Sequence, residues 1–325
     1  MPLDTTKLTL NDDDKLPFER YMFDVLNIWF EDKVHDPAAL GARARALLAR
    51  YRAPVCPEGV TPAEHAKALV RRTDENDSNT DAKISFVWLM DAITVWLDCA
   101  EAYIWISNIV EGRDQAPVLM QPFYSIAIDA LNRRIAEKGL TLESPELRAE
   151  EEFDLYLTAS RGLGEALATH NDLTRAAELY QTALRMDPDD SHEILPRFAL
   201  VKALLKDNAA VDGALVYCQE NALTKFVTAV VLYGRDGDSP AARKALYQAR
   251  IANPHVVAFI AKTRRWIGTL TGDSKPGGVD EGQFITLALM PAFPVFVGLE
   301  RWFRKEAGVV SKPPPGRGSS GRKRR

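Results

Sequence analysis

The side chains that most often carry catalysis or bind metals are sparse in this sequence and are not grouped. None of the five histidines stands at the His-x-x-x-His spacing with which one helix face holds zinc. The three cysteines include no Cys-x-x-Cys pair, so they predict neither a disulfide framework nor a zinc site. The motifs of α/β-hydrolases and P-loop proteins are also missing. We therefore predict no metal, no cofactor and no enzymatic activity.

Two local patterns come closest to a known binding motif, and each lacks a required residue. The acid-rich segment 187–191 (DPDDS) resembles the start of a calcium loop. However, His192 stands where that loop requires glycine, and Phe198 stands where it requires a bidentate glutamate. Gly162 and Gly164 lack the third glycine and the preceding strand of a dinucleotide-binding fingerprint. Neither pattern predicts a ligand.

The elements that would position any site are predicted to be helices. Apolar residues recur at helical spacing along most of the chain, and no window alternates long enough to require a strand. Helix starts are marked by Asp36-Pro37, by Thr61-Pro62-Ala63-Glu64 and by Asp81, each with a side chain that can cap the first turn. The segment Ile84–Val110 predicts the most hydrophobic helix, central to the packing. A long helix is predicted from Ser144 to His170.

A helix pair between Ser160 and Pro188 has the pattern of a repeat unit. Six residues lie at the offsets of a tetratricopeptide unit: Leu163, Gly164, Ala176, Tyr180, Ala183 and Pro188. The small residues allow the two helices to cross closely, and Asn171-Asp172 makes the turn between them. A more degenerate pair follows over 198–220, and a third over 226–252. Pro254 lies 66 residues after Pro188, close to two periods of ~34 residues, so the pattern predicts successive units.

From Tyr156 to about Trp302 the sequence resembles a group of bacterial tetratricopeptide proteins, distantly related to the suppression-of-tumorigenicity-type repeat family. The resemblance is carried by segments 184–190, 195–206, 237–239 and 241–249, and most distinctively by Ala252-Asn253-Pro254-His255-Val256. It implies an α-solenoid with an interaction role and implies no catalytic residues. The sequence departs from the family in segment 283–298, which is more apolar and richer in proline, and in its first 80 residues, which have no counterpart.

We therefore predict an all-α fold, an α-solenoid of tetratricopeptide-like helix pairs with an N-terminal helical region. The predicted organisation is a flexible leader (1–15), the N-terminal helical region (16–140), the repeats with a C-terminal cap (141–310) and a disordered basic tail (311–325). Four aromatic residues are expected to cover the apolar end of the array, since terminal repeats must cover an exposed face: Phe293, Phe296, Trp302 and Phe303. The alternative is that this apolar end docks a partner or a second copy of the chain.

Charge and hydropathy limit the class of partner. The tail from Lys312 carries six cations and no acid, whereas residues 1–311 carry 35 basic and 45 acidic side chains. An acidic body disfavours polyanions, so nucleic-acid binding is predicted only through the tail. Three carboxylates interrupt Ile84–Val110, and the uncharged run Phe284–Leu299 is short and contains two prolines. We predict no membrane span, see no secretory signal and expect a cytoplasmic protein.

The predicted partner site is the concave face formed by the first helix of each pair. Helical geometry places Arg161 and Glu165 on this face in the first unit, and Arg197 and Lys202 as exposed polar residues in the second. The partner is expected to be a protein or peptide, bound in this groove by a scaffold protein. One alternative is a nucleic-acid- or ribosome-associated factor that acts through the tail cluster Arg322, Lys323, Arg324 and Arg325. A second alternative is an enzyme of unrecognised type.

Overall fold

The computed structural model describes residues 17–75, 82–111, 116–261, 275–306 and residue 308. Within these ranges every regular element is a helix and no strand is present, which confirms the predicted all-α class. The chain forms two compact units, Met1–Cys218 (unit one) and Gln219–Arg325 (unit two). The predicted leader 1–15 and the predicted tail 311–325 lie outside the described residues. In the described part of the chain, no helix is long and apolar enough to cross a membrane.

The helices of unit one follow one another with short connections. They are α1 (Pro17–Phe30), α2 (Pro37–Leu48), α3 (Pro62–Glu75), α4 (Ala82–Val95), α5 (Ala100–Glu111), α6 (Ala116–Glu137), α7 (Glu151–Thr169), α8 (Leu173–Met186), α9 (Ile194–Leu204) and α10 (Asn208–Tyr217). A 3-10 turn at Pro145–Ala149 precedes α7. The prediction that one long helix begins at Ser144 is therefore wrong, because α7 begins only at Glu151. The predicted end is confirmed, since His170 is the C-terminal cap of α7.

Two of the predicted helix starts have the expected caps. The Asp36 carboxylate accepts a hydrogen bond from the Ala39 amide at 2.8 Å, and Pro37 stands at the first helical position of α2. Thr61 and Glu64 form a reciprocal capping box at the start of α3: the Thr61 amide donates to the Glu64 carboxylate at 2.9 Å, and the Glu64 amide donates to Thr61 Oγ1 at 3.3 Å. The third predicted cap, Asp81, lies outside the described residues.

In unit one the helices form the sequential pairs α3–α4, α5–α6, α7–α8 and α9–α10, and the second helix of a pair also packs on the first helix of the next, most extensively α6 on α7. The first helices also contact one another in order, α3 with α5, α5 with α7 and α7 with α9. The helices α1 and α2 pack mainly on the second helices α4 and α6.

The most hydrophobic predicted helix is divided in the structure. Residues 84–110 were predicted as one helix, but α4 ends at Val95 and α5 begins at Ala100. In the turn between them, the Cys99 amide donates to the Trp96 carbonyl at 3.0 Å. The Asp98 carboxylate accepts a hydrogen bond from Arg133 Nε at 3.0 Å. Because Arg133 belongs to α6, this contact links the turn to a helix that is distant in sequence.

The close approach of two helices that was predicted at Gly164 is observed between α7 and α8. A Cβ atom at this position would lie 2.2 Å from the ring of Tyr180, which is fully buried in α8. Ala176 and Ala183 are also fully buried. The turn between the two helices places Asn171 at a φ of +64°, a conformation that asparagine tolerates better than most residues.

Unit two contains α11 (Ala222–Asp236), α12 (Pro240–Ala252), α13 (Pro254–Ile260), α14 (Val279–Leu289), α15 (Ala292–Val295) and α16 (Leu299–Glu306). Ser239 caps α12 by accepting from the Ala242 amide at 3.2 Å. Trp302 and Phe303 are buried, and their rings pack on those of Tyr233 and Phe226 at centroid distances of 4.7 and 6.4 Å. Both aromatic residues therefore belong to the core of unit two.

Candidate partner-binding face

The first helix of the predicted repeat presents a polar stripe to solvent. On α7, Asp154 is exposed, and Thr158, Arg161 and Glu165 are half-buried. The four residues follow at intervals of four, three and four, so they lie on one side of the helix. The other sides are occupied by buried residues such as Leu157 and Gly164. Arg161 and Glu165 therefore lie on a partly accessible side of α7, and their role in binding a partner stays a prediction.

Arg197 does not lie on the surface, and its predicted exposure is wrong. Only 6% of the residue is accessible. Its guanidinium forms an ion pair with Glu165 and donates to the Glu193 carbonyl at 2.6 Å. The physical reason is the contact between α7 and α9, which brings the Glu165 carboxylate beside Arg197 and buries the cation once it is paired. Glu165 is thereby also committed to an internal contact.

Lys202 remains accessible at the other end of α9. Its side chain is 23% exposed, its ammonium lies 3.2 Å from the Asp207 carboxylate, and it sits 5.5 Å from the ring centroid of Phe198. Phe198 is itself half-buried. The sequence analysis missed Phe198 as a surface residue, although its position four residues before Lys202 places the two on one side of the helix.

Helix α5, the first helix of the pair that precedes α7 and α8, adds aromatic and amide groups that the sequence analysis also missed. On α5, Trp105 is half-buried and Asn108 is exposed. The Tyr124 hydroxyl donates to Asn108 Oδ1 at 2.9 Å, and the ring of Tyr124 fills the space left by Gly162 of α7. We call Trp105, Asn108, Asp154, Thr158, Arg161, Phe198 and Lys202 together the first-helix face.

The loop that leads into α9 contributes a histidine to the edge of this face. His192 Nε2 lies 3.8 Å from the Asp154 carboxylate, and His192 Nδ1 lies 3.0 Å from Ser191 Oγ. Burial and the nearby charge of Arg161 lower the pKa of His192, so its neutral form is favoured at neutral pH. The cations available to a ligand on this part of the face are therefore Arg161 and Lys202.

The same loop is fixed by two buried carboxylates. Asp187 accepts from the Ser191 amide at 2.6 Å, and Asp190 accepts from the Ile194 amide at 2.6 Å and from the Leu195 amide at 3.0 Å. Burial raises the pKa of Asp190 to about 6. These acids start α9 and hold its loop.

Other concave features lie apart from the first-helix face. One cavity of about 190 Å³ is lined by Leu147, Phe153 and Met186, with Arg148 and Arg185 at its rim. A shallower one of about 320 Å³ lies between α1 and α2. Among the described residues, no three His, Cys, Asp or Glu side chains are grouped so that they could hold a metal ion. The tail residues Arg322, Lys323, Arg324 and Arg325 lie outside the described residues.

Comparison of the chain with models of protein families finds no match. Searches of curated proteins and of solved structures find none either.

Proposed function

We propose that the protein is a scaffold that binds an extended segment of a protein or peptide partner on the first-helix face of unit one. The paired helices would then be tetratricopeptide-like units of an α-solenoid, as the sequence resemblance implies. The observation that carries the proposal is the ordered contact of α3, α5, α7 and α9. When first helices touch in sequence order, their outward sides adjoin, and an elongated ligand can contact several repeats at once.

The chemistry of the face suits an extended chain better than a small substrate. Trp105 and Phe198 offer apolar surface for side chains, while Arg161 and Lys202 offer positive charge. Asn108 is held by the hydroxyl of Tyr124, so its amide is positioned before a ligand arrives. Polar, charged and aromatic groups spread along several helices favour many modest contacts over one reacting centre.

The test is affinity purification with mass spectrometry, comparing the full-length protein with the charge-reversed variant Arg161→Glu/Lys202→Glu. We expect this variant to lose partners that the wild-type protein retains, because both cations of the face become repulsive. Arg197 is left unchanged in the variant, since it is buried and its replacement would disturb folding. Circular dichroism would verify that the helical content is unchanged.

The matched control is Arg50→Glu/Arg185→Glu, which reverses two exposed cations of unit one that lie outside the first-helix face. This control should retain every partner. A third variant lacks residues 312–325. Partners lost only with this deletion, together with co-purifying nucleic acid, would contradict the proposal and assign the activity to the basic tail.

A further inference from the structure

Arg161 is half-buried on α7 and has neither an ion pair nor a hydrogen-bond acceptor in the described part of the chain. Every other described arginine that is buried or half-buried, such as Arg134 and Arg197, donates to a carboxylate or to a backbone carbonyl. A cation that is partly removed from water loses hydration, and an acceptor normally compensates for that loss. The guanidinium of Arg161 therefore has donors that the fold does not use.

The two carboxylates that share this side of α7 are engaged elsewhere. Glu165, one turn after Arg161, forms its ion pair with Arg197 of α9. Asp154, two turns before Arg161, lies 3.8 Å from Nε2 of His192 in the loop that leads into α9. Because α9 and its loop hold both acids, neither of them neutralises Arg161.

The surroundings of Arg161 favour a carboxylate over a phosphate group. Asp154 and Glu165 lie on the same side of α7 and carry negative charge. A phosphate group bears close to two negative charges at neutral pH, so these acids repel it more strongly than a carboxylate, which bears one. Thr158, three residues before Arg161, is half-buried and adds a hydroxyl donor on the same side. The anion that fits here is therefore singly charged.

We propose that Arg161 binds the carboxylate of an aspartate or glutamate side chain in the partner segment. This inference rests on the proposed function, since it names the chemistry that the first-helix face recognises. A planar guanidinium donates two parallel hydrogen bonds to one carboxylate, which fixes the position of the bound side chain. Lys202 already has the Asp207 carboxylate at 3.2 Å, so Arg161 is the better site for an added anion.

Binding of this carboxylate is coupled to a proton through His192. The imidazole is faced by Asp154 and Asp187, which favour its protonation, and by Arg161, which disfavours it, while its Nδ1 lies 3.0 Å from Ser191 Oγ. In the free protein, burial and the charge of Arg161 lower the pKa of His192. A carboxylate bound to Arg161 offsets that charge, so the pKa of His192 rises on binding. The complex therefore takes up a proton, and its affinity falls as the pH is raised.

The test begins with the selection of random dodecapeptides on the immobilised full-length protein. The peptides are displayed on phage with their C-termini fused to the coat protein, so any carboxylate that is enriched belongs to a side chain. We expect Asp or Glu to be enriched by the wild-type protein and not by Arg161→Gln. The strongest acidic peptide, synthesised with an amidated C-terminus, should bind Arg161→Gln about tenfold more weakly than the wild-type protein.

The second measurement is the affinity of the same peptide at pH 6 and pH 8. For the wild-type protein, the affinity should fall about threefold or more as the pH is raised. His192→Gln cannot take up the proton, so its affinity should be the same at both pH values. A wild-type affinity that does not change with pH would overturn the coupling to His192.

The matched control is Arg185→Gln, which removes an exposed cation of α8 outside the first-helix face and should bind the peptide like the wild-type protein. Arg161→Gln breaks no contact of the fold, so its urea denaturation should match that of the wild-type protein. Selected peptides without acids, or equal affinities of the wild-type protein and Arg161→Gln, would overturn this inference and leave the proposed function standing. If the wild-type protein selected no peptide at all, the proposed function would be overturned together with the inference.

Discussion

At the scale of single residues, the contact that most changes the view of the site is the pair of Glu165 and Arg197. Both residues were expected to be available to a partner, yet the guanidinium of Arg197 is buried against the Glu165 carboxylate and the Glu193 carbonyl. If only the acid of a buried ion pair is removed, the cation stays desolvated without that partner. This costs more free energy of folding than replacing both charged residues with apolar ones. The pair therefore stabilises the contact between α7 and α9.

We predict that Glu165→Leu destabilises unit one more than the double substitution Glu165→Leu/Arg197→Met. The single change leaves the buried Arg197 charge with only the more distant Glu193 carboxylate, at 3.9 Å, and should lower the free energy of unfolding by about 3 kcal/mol. The double change removes both charges and keeps the apolar volume. Urea denaturation followed by circular dichroism would measure both. If the double variant were as unstable as the single one, the pair would not explain the stability at this position.

At the scale of elements, the close approach of α7 and α8 depends on the absence of a side chain at Gly164. The space is filled by the ring of Tyr180, a fully buried residue. Helix interiors normally disfavour glycine by about 0.5–1 kcal/mol relative to alanine. At Gly164 packing overrides that preference, because an added methyl group has no space beside the ring.

Because packing decides at a crowded glycine and helix propensity decides at an open one, two glycine-to-alanine substitutions in helices of unit one should have opposite effects on stability. Gly164→Ala should lower stability by about 1–3 kcal/mol because of the overlap with Tyr180. Gly213→Ala, in α10, should raise it by up to about 1 kcal/mol, since no atom lies within 4 Å of the added Cβ. Thermal melts of both variants provide the measurement. Equal effects of one sign would show that helix propensity, not the crossing, controls these positions.

At the scale of the whole molecule, each unit has its own buried core, and the helices α6 and α7 belong to the same unit. The sequence analysis placed a boundary at residue 140, between these two helices. In the structure, the side-chain amide of Gln121 donates to the Ala166 carbonyl at 3.0 Å, and Tyr124 covers Gly162. A cut at that boundary would expose the surface of α7 that α6 covers.

We therefore predict that a fragment of residues 1–218 is helical and melts cooperatively when expressed alone. A fragment of residues 141–325 should instead aggregate and bind hydrophobic dyes, because the α7 surface loses its cover. Size-exclusion chromatography and circular dichroism of both fragments would test this. A soluble, cooperatively folded 141–325 fragment would contradict the prediction and support the boundary placed from the sequence.

The sequence alone determined the features that depend on neighbouring residues. The caps at Asp36 and Thr61 are local, because the side chain and the amide it accepts from are three residues apart. The turn after α7 and the small residue at Gly164 follow from a short repeat pattern in the same way. The all-α class follows from the helical periodicity of the chain.

The tertiary structure alone decided which polar side chains are available and where some helices end. Arg197 is buried because α7 supplies a carboxylate 32 residues away in sequence. The helix predicted over 84–110 is divided at a turn whose Asp98 pairs with Arg133 of α6. The helix α6 continues through Pro122, because packing between α5 and α7 outweighs the backbone hydrogen bond that proline cannot donate. Contacts between residues distant in sequence leave no local pattern, so only the folded chain reveals them.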